Sequence, residues 1–291
     1  MDGQEAIRSV LGPMCRHVSG LKLFMKAIVD AAPWERDAMA LRQPWSPAAY
    51  ELESHGGPQA QLCFGVIWDD GFCRPTPPYT RALRQTVDAV LRAGHKVIAF
   101  TPSNTREGVE LVREIYNADG GADIASECAK SDEPRIGFEA PSPHRSTFEW
   151  WQLCVRRREF AQAQLEHWTS TAAQTGTGRP IDAMLVPAAA NAPGPHGSAL
   201  PNSPVRYIYY TAWANLCDFT AAVLPVTRVS QDLDGAIDVR SFRSEVERAV
   251  HSAYEPSKHA NAPIGVQVIG RRSEEEAVIR MTENVDAALR Q

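Results

Sequence analysis

The residues of this chain that could do chemistry unaided are its eight histidines and a few serines. His251, Glu255 and His259 stand at positions i, i+4 and i+8, a spacing that would place three metal ligands on one face of a helix. Pro256 interrupts any helix that would align them, and no H-E-x-x-H sequence occurs. We therefore expect no metal site.

Ser198, in the sequence H-G-S-A-L, is the serine whose sequence surroundings are compared with those of a catalytic nucleophile. A nucleophile elbow requires G-x-S-x-G between a strand and a helix, whereas Ser198 and the nearby His196 lie in a proline-rich stretch that predicts a loop. Residues 169–180 contain G-T-G without a preceding strand or a third glycine, so no dinucleotide site and no cofactor are expected. The spacing of these histidines, serines and glycines therefore indicates no complete set of catalytic residues.

The elements that would position functional residues centre on residues 207–228, YIYYTAWANLCDFTAAVLPVTR. Tyr209, Trp213 and Leu216 recur at i, i+4 and i+7, which predicts a helix buried on most of its surface. Asp218 breaks this pattern, and residues 220–226 then form an apolar run typical of a fully buried strand. An apolar helix followed by an apolar strand indicates an α/β fold.

The same patterns along the chain predict one mixed, mostly parallel sheet with helices on both faces, in a single domain spanning residues 1–291. The strands are expected near residues 62–68, 95–100, 182–188, 220–226 and 264–269. Helices are expected near residues 21–29, with Ser19 as N-cap, and near 79–93, 107–116, 148–168, 242–251 and 274–289. The strand, helix and strand of residues 62–100 predict a parallel crossover.

Composition excludes several functional classes. The net charge of -5 leaves no excess of basic residues to neutralise a phosphate backbone, so no nucleic-acid partner is expected. The amino-terminal residues are acidic and polar, and no apolar window approaches the roughly 18 residues of a membrane span, which predicts a cytoplasmic protein. The six cysteines form no C-x-x-C pair and are interpreted as reduced thiols.

Several motifs occur in one order along the chain. They are G-P-M-x-R-x-V at 12–18, P-P-Y-T-R-A-L at 77–83, E-I-Y-N-A-D-G-G at 114–121, Y-T-x-W-x-N-L-x-D-F at 210–219 and P-I-G-V-Q-V-I-G-R at 263–271. This set resembles the carboxyl-terminal half of the amidase signature family, in particular its fungal acetamidase branch. His17 departs from the family's pattern, because a small hydroxyl residue is more usual there.

The resemblance implies hydrolysis of carboxamides to a carboxylate and ammonia or an amine, by a serine nucleophile, a second serine with a cis peptide bond and a lysine. The sequence contains no S-S-G, and its first residues already resemble the part of the family that follows the nucleophile. We therefore expect the lysine and the two serines to lie upstream of Met1, and this chain alone to be inactive.

The resemblance also implies that Gly12, Pro13, Met14, Trp213 and Asn215 lie near a substrate pocket. The alternative interpretation is that Trp213 is a core residue and that Asn215 forms hydrogen bonds with nearby backbone. Two hypotheses stay open: part of an amidase acting on a small-molecule amide, or a non-catalytic remnant or interaction partner. Homo-oligomerisation stays open under both. Loss of the other half would expose apolar surface on the 21–29 helix and on one face of the sheet.

Overall fold

The fold is built on one sheet that contains all five predicted strands. The computed structural model describes residues 3–133, 143–194, 207–235 and 241–291. The strands are β1 (Cys63–Val66), β2 (Lys96–Ala99), β3 (Ala183–Pro187), β4 (Thr220–Arg228) and β5 (Pro263–Gly270). Their spatial order is β2-β1-β3-β5-β4, which leaves β2 and β4 at the two edges.

The strand directions confirm a mixed sheet with a mostly parallel core. β1 lies parallel to both β2 and β3, with Cys63 opposite Lys96 and Phe64 opposite Ala183. β5 runs antiparallel to β3 and β4 and is the one described strand of opposite direction. The predicted crossover joins β1 to β2 through a helix over Pro77–Arg92.

The described α-helices include every helix that the sequence predicts, together with three that it does not, and two 3-10 helices are also present. The predicted helices are α1 (Val18–Asp30), α3 (Pro77–Arg92), α4 (Thr105–Tyr116), α6 (Thr147–Ser170), α9 (Glu245–Ala253) and α10 (Glu275–Leu289), with α8 (Tyr209–Cys217) in the central stretch. The additional helices are α2 (Pro47–Tyr50), α5 (Ala122–Lys130) and α7 (Ala172–Thr175). The predicted N-cap at Ser19 is wrong, because α1 begins at Val18 and His17 is its N-cap residue.

Successive side chains of a strand point to opposite faces of the sheet, and here they belong to two separate hydrophobic cores. On one face, Met184 and Val186 of β3 pack with residues of α4, α6 and α8. On the other face, Ala183 and Leu185 pack with residues of α3 and α10. Two helical layers therefore cover the sheet, as predicted. In the described part of the chain, no helix is long and apolar enough to cross a membrane.

The prediction that β4 is fully buried is wrong. Leu224 is the one buried residue of this strand, and Val223 is 51% exposed. β4 has a neighbouring strand on one side only, and α3 and α10 cover one of its faces. Its apolar sequence is typical of an interior strand, but in this structure β4 occupies an edge.

Helix α1 is also unusually exposed for its sequence. It packs against α10, yet none of its residues is buried, and Leu23 is 73% exposed. The predicted apolar side of the helix is therefore present but largely without contacts among the described residues. Together, α1 and β4 expose apolar surface in the two regions where the sequence leads us to expect it.

Candidate functional site

A large open groove lies between α1 and β4. Its volume is about 1580 Å³, and its α1 and β4 sides are mainly apolar, whereas α3 and the carboxyl end of α10 add charged side chains such as Asp88 and Arg290. Leu21, Met25 and Val29 of α1 line one side at i, i+4 and i+8, and residues 220–227 of β4 line the other. The size and lining are suited to an apolar ligand or an apolar polypeptide segment.

Three of the predicted pocket residues line this groove. Gly12, Pro13 and Met14 belong to the segment that precedes α1, and the Met14 side chain is fully exposed. No backbone hydrogen bond to a described residue holds these three positions in place. The segment therefore forms an apolar wall whose position depends on few contacts.

The two other predicted pocket residues, Trp213 and Asn215, do not line the groove. Trp213 is 2% exposed and packs edge-on against Phe219, with ring centroids 5.4 Å apart. Its indole Nε1 has no hydrogen-bond partner among the described residues. Asn215 is exposed, and its carbonyl accepts a hydrogen bond from the backbone N–H of Asp218 at 3.2 Å. Phe219 touches Trp213 and also lines the groove, so it connects the two sets.

Among the described residues that line the groove, Glu275 is the one whose carboxyl group has a perturbed pKa. Burial raises this pKa, and the negative charges of Glu276 and Asp218 raise it further. The hydroxyl of Thr220 donates a hydrogen bond to Glu275 Oε1 at 3.2 Å. A carboxyl in such surroundings accepts protons more readily than usual. Glu275 is not among the site residues predicted from the sequence, although it belongs to the E-E-E sequence at 274–276, at the start of the last helix.

A buried polar network fixes α8 relative to the carboxyl end of β1. The Asp70 carboxylate accepts hydrogen bonds from the backbone N–H of Phe72 and of Cys73, at 2.9 and 2.8 Å. It also accepts one from the Tyr207 hydroxyl at 2.5 Å. Tyr210 donates to the Cys73 carbonyl at 2.6 Å. Burial raises the pKa of Asp70 in spite of these donors. These bonds hold the helix that carries Trp213.

A second network ties the same loop to α9. The carboxylate of Glu247 is fully buried and accepts four hydrogen bonds. Three come from Arg74, from its backbone N–H, Nε and Nη2, at 2.9, 2.7 and 3.0 Å. The backbone N–H of Arg243 donates the fourth at 2.6 Å. Every lone pair of this buried charge is therefore used, which offsets its desolvation.

The histidines do not converge. Nε2 of His251 lies 3.0 Å from the Arg74 carbonyl, and Nδ1 of His259 lies 2.8 Å from the Glu255 carbonyl. Among the described residues, no group of three histidine, cysteine or acidic side chains is placed to hold a metal ion. Ser198 and His196, the loop residues weighed against a nucleophile elbow, lie outside the described residues.

Comparison with known proteins places these features in a family. The sequence model of the amidase family matches residues 1–279. The chain is 32% identical to the acetamidase of Emericella nidulans and 30% identical to that of Aspergillus oryzae. Each alignment covers 99% of this chain and 52% of the acetamidase. The chain thus spans about half the length of the curated relatives it matches.

Solved structures agree with this match. A fatty acid amide hydrolase superposes with a TM-score of 0.81 at 27% identity, over 99% of this chain and 49% of that one. A 6-aminohexanoate cyclic dimer hydrolase superposes with a TM-score of 0.56 over 88% of this chain and 50% of the other. The identity in the second case is 14%, so that likeness concerns the fold alone.

Proposed function

Because the chain belongs to the amidase family, as its sequence predicts, we propose that it forms part of an enzyme that hydrolyses carboxamides. The reaction would convert an amide and water to a carboxylate and ammonia or an amine. The observation that carries the proposal is the match to acetamidase at 32% identity over 99% of this chain. The match to a fatty acid amide hydrolase fold supports it.

We place the catalytic groups outside these 291 residues. The family uses a serine nucleophile, a second serine and a lysine, and this sequence contains no two adjacent serines. In the described part of the chain, no serine hydroxyl is hydrogen-bonded to a lysine. In the proposed reaction, the serine oxygen attacks the carbonyl carbon, the C–N bond breaks as the amine takes a proton, and water then cleaves the acyl ester.

The contribution of this chain would be a wall of the substrate pocket. Gly12, Pro13 and Met14 line the apolar groove. Phe219 also lines it and packs against Trp213 of α8, so it connects the groove with the core around that helix. An apolar wall favours small-molecule amides whose acyl or amine portion is itself apolar, because burial of that portion stabilises the complex. Trp213, which does not line the groove, would contribute by fixing the orientation of Phe219.

The test compares the 291-residue chain alone with the chain co-expressed with the part of the Emericella nidulans acetamidase that it does not match. Ammonia release from acetamide, benzamide and a long-chain amide is measured beside labelling by a fluorophosphonate probe. We expect turnover only with the added part, because disabling a catalytic triad lowers kcat on the order of 10⁶-fold, about 8 kcal/mol of barrier.

Two outcomes contradict the proposal. Probe labelling of a serine within residues 1–291 would show that this chain carries its own nucleophile. A complex that forms but hydrolyses no amide would favour the second candidate, a non-catalytic remnant or interaction partner.

A pair of variants tests the pocket wall. Met14→Lys should raise KM for the long-chain amide roughly tenfold, about 1.4 kcal/mol. Leu23→Lys, at an exposed apolar position that does not line the groove, should leave it unchanged.

A further inference from the structure

The described methionines differ sharply in exposure. Met184 and Met281 are 0% exposed, and Met25 is partly buried. Met39 is 56% exposed, whereas Met14 is fully exposed. An oxidant has to reach the sulfur of a methionine, so accessible methionines react and buried ones are protected. Among the described residues, Met14 is therefore the methionine most open to oxidation.

The backbone around Met14 gives this side chain little protection. Residues 8–15 form neither helix nor strand, and α1 begins only at Val18. Gly12, Pro13 and Met14 make no backbone hydrogen bond with a described residue. A reagent in solvent can therefore reach the thioether sulfur of Met14 without any opening of the fold.

Oxidation of Met14 would change the chemistry of the groove between α1 and β4. Met14 lines this groove together with the apolar side chains of Val10 and Leu11. Methionine sulfoxide is polar and carries a hydrogen-bond acceptor where the thioether was apolar. An apolar ligand that packs on this wall would have to remove water from the new oxygen, which is unfavourable. Oxidation would therefore weaken the binding of apolar ligands.

A hydrogen-bond donor for this oxygen lies two residues along the chain. Arg16 also lines the groove, is exposed, and has no ion-pair or hydrogen-bond partner among the described residues. Its guanidinium can donate to the sulfoxide oxygen of residue 14, whereas a thioether sulfur is only a weak acceptor. Because few contacts fix residues 12–14, the segment can adjust to this bond. The oxidised wall thus has a polar partner that the reduced wall does not use.

We propose that Met14 is a site of reversible oxidation by hydroperoxides, and that its sulfoxide lowers the affinity of the groove for apolar ligands. The sulfur attacks one peroxide oxygen, the O–O bond breaks, and the proton on the transferred oxygen moves to the departing one. Sulfur is oxidised, and the peroxide is reduced to water or an alcohol. Methionine sulfoxide reductases restore the thioether and release water while two thiols become a disulfide.

This inference rests on the proposed function only where the apolar ligand is an amide substrate. There, oxidation of Met14 would reduce binding of amides with apolar portions while leaving the catalytic groups untouched. The groove itself is tested without any amide, so the inference and the proposed function can fail separately.

The experiment measures binding of the neutral dye Nile red to the 291-residue chain before and after hydrogen peroxide, with peptide mass spectrometry to locate the added oxygen. Met14→Leu keeps an apolar side chain of similar volume that cannot form a sulfoxide. Met39→Leu is the matched control, at a less exposed methionine of the same groove. We expect peroxide to raise the Kd of the dye at least about threefold in the unaltered chain and in Met39→Leu. At the same dose, the Kd of Met14→Leu should rise less than about 1.5-fold above its own untreated value.

The oxidation of Cys15 has to be separated from that of Met14, because Cys15 is exposed and lines the same groove. Dithiothreitol reverses a cysteine sulfenic acid or a disulfide but leaves a sulfoxide in place, whereas the two methionine sulfoxide reductases together reduce both sulfoxide epimers. We expect dithiothreitol alone to leave the effect of peroxide unchanged, and the two reductases to restore the original Kd.

The possible results decide the proposal as follows. A loss of dye affinity that requires Met14 and that only the reductases reverse supports it. Equal effects of peroxide on Met14→Leu and on the unaltered chain overturn it, as does recovery with dithiothreitol alone. Oxygen found on other methionines while Met14 stays unmodified also overturns it, and so does an untreated chain that binds no dye. Thermal unfolding is measured on each sample, and a loss of affinity that appears only where peroxide unfolds the chain counts against the proposal.

Discussion

Replacing Glu247 with glutamine should destabilise the protein more than any other single charge removal that we propose. The four donors around its carboxylate would face an amide whose NH₂ group is itself a donor. At least one nitrogen of Arg74 or the backbone N–H of Arg243 would then meet a donor instead of an acceptor. Arg74 would also lose its buried counter-charge.

The pKa of Glu247 gives the magnitude. Burial alone would raise this pKa, but the hydrogen bonds from Arg74 and from the Arg243 backbone lower it from 4.5 to about 2. A carboxyl whose pKa is lower in the folded state stabilises that state above its unfolded pKa, and the contribution disappears as the pH falls through the folded pKa. The difference amounts to roughly 3 kcal/mol at pH 7 and roughly 1.4 kcal/mol at pH 3.

The assay is thermal unfolding of Glu247→Gln at pH 7 and at pH 3. Loss of 3 to 5 kcal/mol at pH 7, the range found on breaking a buried ion pair, should lower Tm by roughly 6 to 15 °C. The difference in Tm between Glu247→Gln and the unaltered protein should be smaller at pH 3 than at pH 7. Glu245→Gln is the matched control, because Glu245 lies on the same helix, is largely exposed and pairs with Arg248 at the surface. Equal Tm values for the two variants at pH 7, or a gap that does not narrow, would refute this reasoning.

Three further predictions follow from the described contacts. Gly108→Ala should cost about 1 to 3 kcal/mol on thermal unfolding, because its Cβ would lie 1.9 Å from the Tyr209 hydroxyl oxygen, and Tyr209→Phe in the same chain should relieve only part of that loss, since the ring atoms Cζ of residue 209 and of Phe160 stay 2.7 and 2.9 Å from this Cβ. Tyr207→Phe removes a donor to the Asp70 carboxylate, whose pKa burial raises; the variant should therefore lose more stability at pH 8 than at pH 4, and an equal loss at both would contradict this. The chain alone should bind a hydrophobic dye through the groove, and Met25→Lys should reduce the fluorescence relative to Leu23→Lys.

Local pattern predicted most of the fold. Of the four residues whose spacing predicts the apolar face of α3, Leu83, Val87 and Val90 are buried and Leu91 is 49% exposed. Short apolar runs locate all five strands to within one or two residues. These features depend on which residues must leave water, and that information is contained in each stretch by itself. Of the α-helices that the sequence missed, α2 and α7 have four residues each, too few to establish a period, and α5 buries none of its nine residues, so burial imposes no apolar face on its sequence.

The networks around Asp70 and Glu247 could not be predicted in this way. Asp70 and Tyr207 are separated by 137 positions, and Arg74 and Glu247 by 173. Hydrogen bonds over such distances depend on the tertiary arrangement, which periodicity does not specify. Of the candidate site, motif resemblance led to Gly12, Pro13 and Met14, but it could not show that Trp213 lies in the core or that Phe219 packs against Trp213 and lines the groove.

The location of the two stabilising networks separates the stability of this chain from its groove between α1 and β4. β1, whose carboxyl end carries Asp70 and Arg74, and β4 are separated in the sheet by β3 and β5. At about 4.8 Å between neighbouring strands, the two lie roughly 14 Å apart, beyond the 7 to 10 Å within which substitutions usually couple. Glu247→Gln and Met25→Lys should therefore have additive effects on thermal unfolding, while dye binding responds to Met25→Lys alone at temperatures where both variants are folded. Coupling between the two substitutions in dye binding would mean that the network beyond β1 helps to shape the groove beside β4.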